Sequence, residues 1–155
     1  MKLRTILLAT ATLFAAAVCC FAANDANMGT WKLNEAKSKL VAGATKNNTV
    51  VYEAAGDGVK VTIDGVDGSG KPTHNEWTGN FDGKDYAVTG DPASDMRSYK
   101  RVNAHTMTFT IKKGDKVTMT GRIVVAADGK SRTVTVGGMD AMGMKQTSTV
   151  VYDKQ

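Results

Sequence analysis

Apolar and polar residues alternate with a period of two along most of the chain. Val59, Val61 and Ile63 alternate with Lys60, Thr62 and Asp64, and Met107, Phe109 and Ile111 alternate with Thr106, Thr108 and Thr110. Successive side chains of a strand point to opposite faces, so runs of this kind predict antiparallel strands with one buried face. The longest run sets Val117, Met119, Gly121, Ile123 and Val125 on one face against Thr118, Thr120, Arg122 and Val124 on the other. Turn signals separate the runs: Gly56-Asp57-Gly58, Asp67-Gly68, Asp82-Gly83, Gly90-Asp91-Pro92, Gly114-Asp115 and Asp128-Gly129. Glycine beside aspartate gives the positive φ that tight hairpins require. The pattern predicts ten strands, near 28–33, 48–55, 58–65, 72–79, 84–89, 95–102, 105–112, 116–126, 131–138 and 145–153. Asn34 to Leu40 has room for a turn or two of helix.

Composition agrees. Beyond residue 22 there are 16 Thr and 15 Val but only 2 Leu, Leu33 and Leu40, and β-branched enrichment favours strands. A series of hairpins must hide its edges, and closure does so. The expected fold is an all-β, antiparallel up-and-down meander barrel of about 8–10 strands, with a two-sheet β-sandwich as the alternative. An outer-membrane barrel would need aromatic girdles that four Tyr and two Trp cannot supply.

The first residues follow a different rule. Lys2 and Arg4 precede an uncharged, mostly apolar run from Ile6 to Cys20, and Cys20-Phe21-Ala22 puts small residues at −3 and −1. Residues 1–22 read as a signal peptide and residues 23–155 as a single domain. Cys19 and Cys20 fall inside the leader, without the run that precedes a lipid-modified cysteine. The mature chain then has no cysteine and is exported, to the periplasm or beyond, without disulfides. No transmembrane segment is expected in it.

Charge and candidate chemistry narrow the function classes. Removing Lys2 and Arg4 leaves 18 basic against 15 acidic residues, too even and too scattered for a nucleic-acid partner. No Ser stands in G-x-S-x-G, and His74 and His105 are the two histidines. His74-x-Glu76 places an imidazole and a carboxylate on one strand face without further catalytic company, so no enzyme and no cofactor are expected. Met139, Met142 and Met144 form an M-x-x-M-x-M set suited to Cu(I), a soft ion, or to apolar packing at a barrel mouth. Arg97, Tyr99 and Arg101 share one strand face and would orient a polar ligand head if that face is interior.

The ends of the mature chain carry a resemblance. Gly29-Thr30-Trp31-Lys32-Leu33 and Ser148-Thr149-Val150-Val151-Tyr152-Asp153-Lys154 resemble the calycin superfamily. Its lipocalins open with G-x-W, and its intracellular fatty-acid-binding proteins open with G-T-W-K-L and close on Tyr-acidic-Lys. The chain is also similar to exported bacterial lipocalin-like proteins. The resemblance implies that Trp31 plugs the closed end of a barrel beneath a stacked Arg, with Arg101 and Arg122 as the two candidates. It implies a small, largely apolar ligand inside, and Phe109, Arg122 and Tyr152 join Arg97, Tyr99 and Arg101 as candidate binding residues. Two departures stand out: Asn34 to Asn47 is too short for the helical lid of the fatty-acid binders, and Val150 occupies the position of their carboxylate-binding Arg. The expected function is non-enzymatic carriage of an apolar molecule. The alternatives are a ligandless envelope protein and a Met-rich Cu(I) module.

Overall fold

The computed structural model describes residues 25–139 and 143–155; the segment expected to be a leader, with both cysteines, and Met142 lie outside them. Ten strands follow one another in the chain: β1 (Gly29–Leu33), β2 (Lys46–Ala55), β3 (Gly58–Val66), β4 (Pro72–Gly79), β5 (Tyr86–Thr89), β6 (Met96–Asn103), β7 (Thr106–Lys113), β8 (Lys116–Val125), β9 (Ser131–Met139) and β10 (Lys145–Lys154). A short 3-10 turn spans Glu35–Lys37, and the Asn34 side chain caps it by accepting from the Lys37 amide. Each strand pairs antiparallel with its neighbour in sequence, and β1 pairs with both β2 and β10. The result is a closed meander barrel, so the two-sheet alternative does not apply.

The alternating pattern becomes inside and outside. Val59, Val61, Ile63, Met107, Phe109, Ile123 and Val125 are buried, as are Trp31, Trp77 and Tyr152. The outer wall carries charge: Lys60 pairs with Glu76 at 2.8 Å, and Lys112 with Asp85 at 2.6 Å. No helix among the described residues is long and apolar enough to cross a membrane.

One expected face is corrected at the start of β8. Ile111 pairs with Met119 while Lys112 pairs with Val117, leaving Thr118 as an extra residue. A bulge of one residue reverses the alternation beyond it. Val117 therefore turns outward and is 48% exposed, while Ile123 on the regular part of β8 is 3% exposed.

β5 is the weak stave, with two paired residues toward β4 and two toward β6. Aromatic rings close the wall there. Trp77 from β4 and Tyr99 from β6 stack across it with centroids 4.7 Å apart and planes 6° from parallel, a contact worth about 0.5–1.5 kcal/mol beyond the area it buries.

Candidate functional site

The two ends of the barrel differ. At one, residues 25–28 fold beneath the staves. Trp31 Nε1 donates to the Asn27 carbonyl at 2.7 Å, Asp25 Oδ1 accepts from the Asn27 amide at 2.8 Å, and Arg101 reaches the Asp25 carboxylate. Ala26 and Met28 pack onto the core. This end is shut.

Above the plug lies a cavity of about 720 Å³ that reaches the loops of the opposite end, within the roughly 300–1,000 Å³ of small-molecule sites. Its walls include Val50, Ile63, Phe109, Ile111, Val134 and Val136. The segment 40–46, the β5–β6 loop at 90–94, Met119 and Met139 surround its mouth. The chain between β1 and β2 bridges to β10 through Lys39 and Thr149 and forms one 3-10 turn instead of a helical lid.

Arg97, Tyr99, Phe109 and Tyr152 all line this cavity. Arg97 is 5% exposed and donates from Nη2 to Asp91 at 2.8 Å. Burial pushes the Asp91 carboxyl up, but hydrogen bonds from Ser94, the Ala93 amide and Arg97 outweigh it and hold the group below its ordinary value. Arg97 thus ties the 90–94 loop to the wall. Tyr99 stacks on Phe109 with centroids 5.5 Å apart. Burial raises both the Tyr99 and the Tyr152 hydroxyls, the latter to about 12, so both remain neutral.

Arg101 and Arg122 stand elsewhere. Arg101 pairs in register with buried Met107 and so keeps the inward face of Arg97 and Tyr99, but it stands at the plugged end, away from the cavity lining, where it lies over the Phe81 ring at 5.5 Å. Arg122 alternates with buried Ile123 and faces outward. Neither lies over Trp31. That position belongs to Arg132, whose guanidinium carbon is 4.7 Å from the Trp31 centroid and 4.9 Å from those of Tyr52 and Tyr152. A guanidinium over an aromatic face gains about 0.5–2 kcal/mol. Sequence parity held a signal for Arg132: it falls in step with inward Val134 and Val136 on β9.

Met139 and Met144 are exposed at 67% and 53% beside the β9–β10 turn, and Met139 contributes to the mouth. Met107 is buried in the core. No group of three or more His, Cys, Asp or Glu suited to a metal occurs among the described residues.

His74 and Glu76 share a strand face, but it is the outer one. His74 Nδ1 lies 2.6 Å from Asp64 and Nε2 lies 3.7 Å from Glu76, which Lys60 also holds. The hydrogen bond to Asp64 raises the His74 pKa despite some desolvation. Protonated His74 is thereby favoured in the folded state. Its small contribution to stability is complete below the unfolded pKa and fades as pH rises through the folded one. An NMR titration should place the His74 midpoint above the ordinary histidine value, and Asp64→Asn should lower it. A midpoint unmoved by that substitution would refute the assigned partner.

The class these features define is a closed antiparallel ten-stranded barrel, plugged at one end and hollow toward the other. No protein-family model matches the sequence, and no curated protein matches it.

Proposed function

We propose that this is an exported, non-enzymatic binding protein that carries a small, largely apolar molecule inside a calycin-like barrel. The observation that carries the reading is the cavity itself, about 720 Å³ and walled mainly by aliphatic and aromatic side chains. A filled barrel of ten staves would need larger residues than this chain supplies. Beyond residue 22 it has two Leu, two Phe and two Trp, while Val, Thr and Gly on the staves leave space. The placement of His74 supports the carrier reading over catalysis, because the imidazole and its neighbours Asp64 and Glu76 stand on the outer wall and do not line the cavity. Export rests on the leader-like residues 1–22.

A fluorescent apolar probe should bind with micromolar affinity, about −8 kcal/mol. Ile111→Asn, on the cavity wall, should weaken it about tenfold by placing an unpaired amide against the ligand. Val124→Asn, on the outer wall, should leave it unchanged. Equal effects of the two substitutions, or no binding at all, would overturn the carrier reading. Binding of Cu(I) without the probe would favour the methionine alternative.

A further inference from the structure

We propose that the ligand carries an anionic oxygen group, a carboxylate or a phosphate, that seats against Arg132 on the cavity floor. This rests on the carrier reading and adds the charge of the cargo to it.

Arg132 is 2% exposed and lines the cavity. The Trp31, Tyr52 and Tyr152 rings surround its guanidinium. Such rings attract a cation through their faces, but they supply no hydrogen-bond acceptor in the guanidinium plane. Among the described residues, neither Nε nor Nη1 has an acceptor. A buried donor without an acceptor is costly, and a buried charge without a counter-ion more so.

The other interior charges are already balanced. Arg97 has Asp91 at 2.8 Å, and Lys46 at the mouth has Glu35 at 2.7 Å. Of the carboxylates that line the cavity, Asp91 is taken by Arg97 and Ser94. Asp67 is held in its own turn by Ser69 and by the Lys71 amide. No acidic side chain among the described residues pairs with Arg132, so the floor is left positive. A carboxylate or phosphate matches a guanidinium in both charge and geometry. The neutral hydroxyl of Tyr152, on the stave paired with that of Arg132, adds a donor on the same floor.

The position differs from the one the sequence resemblance implies. The sequence resemblance puts a carboxylate-binding Arg at residue 150, where a buried Val150 stands. The cation comes instead from β9, in register with Tyr152.

Three probes with one chain length separate the possibilities: dodecanoate, dodecyl phosphate and dodecanol, each measured by displacement of the fluorescent probe and by calorimetry. At least one anion should bind about tenfold or more tighter than the alcohol, and which one does identifies the head group. Arg132→Gln should reduce that anion to the affinity of the alcohol and leave dodecanol within about twofold, while Arg132→Lys should keep part of the preference. Equal affinity for all three in the wild-type protein would overturn the anion inference and leave the carrier reading standing. An anion preference that survives Arg132→Gln would overturn the role of Arg132. Failure of all three to bind would overturn the carrier reading beneath it. Should Arg132→Gln lose its near-ultraviolet circular dichroism, the wild-type comparison and Arg132→Lys decide the question.

Discussion

Trp31→Ala should destabilise the protein by about 3–5 kcal/mol, the usual cost of truncating a large buried aromatic side chain. The ring is fully buried, and its loss acts through three connections. It empties the space beneath the cavity, takes one aromatic face from Arg132 and leaves the Asn27 carbonyl without its donor. Lys32→Ala, on the next residue and the opposite face, should change stability by less than about 0.5 kcal/mol. Urea unfolding followed by intrinsic fluorescence measures both, with Trp77 as the remaining reporter in the Trp31 variant. Comparable losses at the two positions would contradict the inward placement of Trp31.

Gly121→Val should cost about 2–3 kcal/mol by overpacking. Gly121 lies where the Phe109 ring crosses β8. A Cβ built there would fall 2.2 Å from the ring tip and 2.6 Å from the Thr135 carbonyl. The ring could swing, but it is stacked on Tyr99, and the carbonyl belongs to the paired stave β9. Relief therefore requires a shift of the ring, the stave or both. The same displacement would narrow the cavity beside Phe109, so probe affinity should fall together with stability. A variant as stable as the wild type, by urea unfolding, would show that the wall yields more easily than its packing implies.

Much of the fold is legible in the sequence because one face of each stave is wet and the other dry. That condition imposes period-two alternation, and Val59 to Asp64 of β3 and Thr106 to Ile111 of β7 display it in the sequence. Asp-Gly turns then mark the ends of the staves. The bulge at Thr118 is hidden, because Val117 looks apolar and in phase until register is known. The floor of the site was harder to read. Arg132 falls in step with inward Val134 and Val136, but that parity gives only its face and not what a charge there would meet. Its burial depends on rings from β1, β2 and β10, which meet it only after closure. Arg97, Tyr99 and Arg101 keep the predicted shared face, since Arg101 pairs with buried Met107, but position along the stave, which the alternation does not fix, puts Arg101 at the plugged end against Asp25.

The pairing of β1 with β10 joins residues as far apart in sequence as Trp31 and Lys154. Loop-closure entropy must be met before that seam contributes anything, and such long-range pairing slows folding. The remaining seams are hairpins between consecutive strands, which can form as their own segments come together. The ring can be sealed only once both end strands are free to meet. A chain halted before residue 145 would leave β1 and β9 with unpaired rows of amides and carbonyls, a surface on which other chains could add strands.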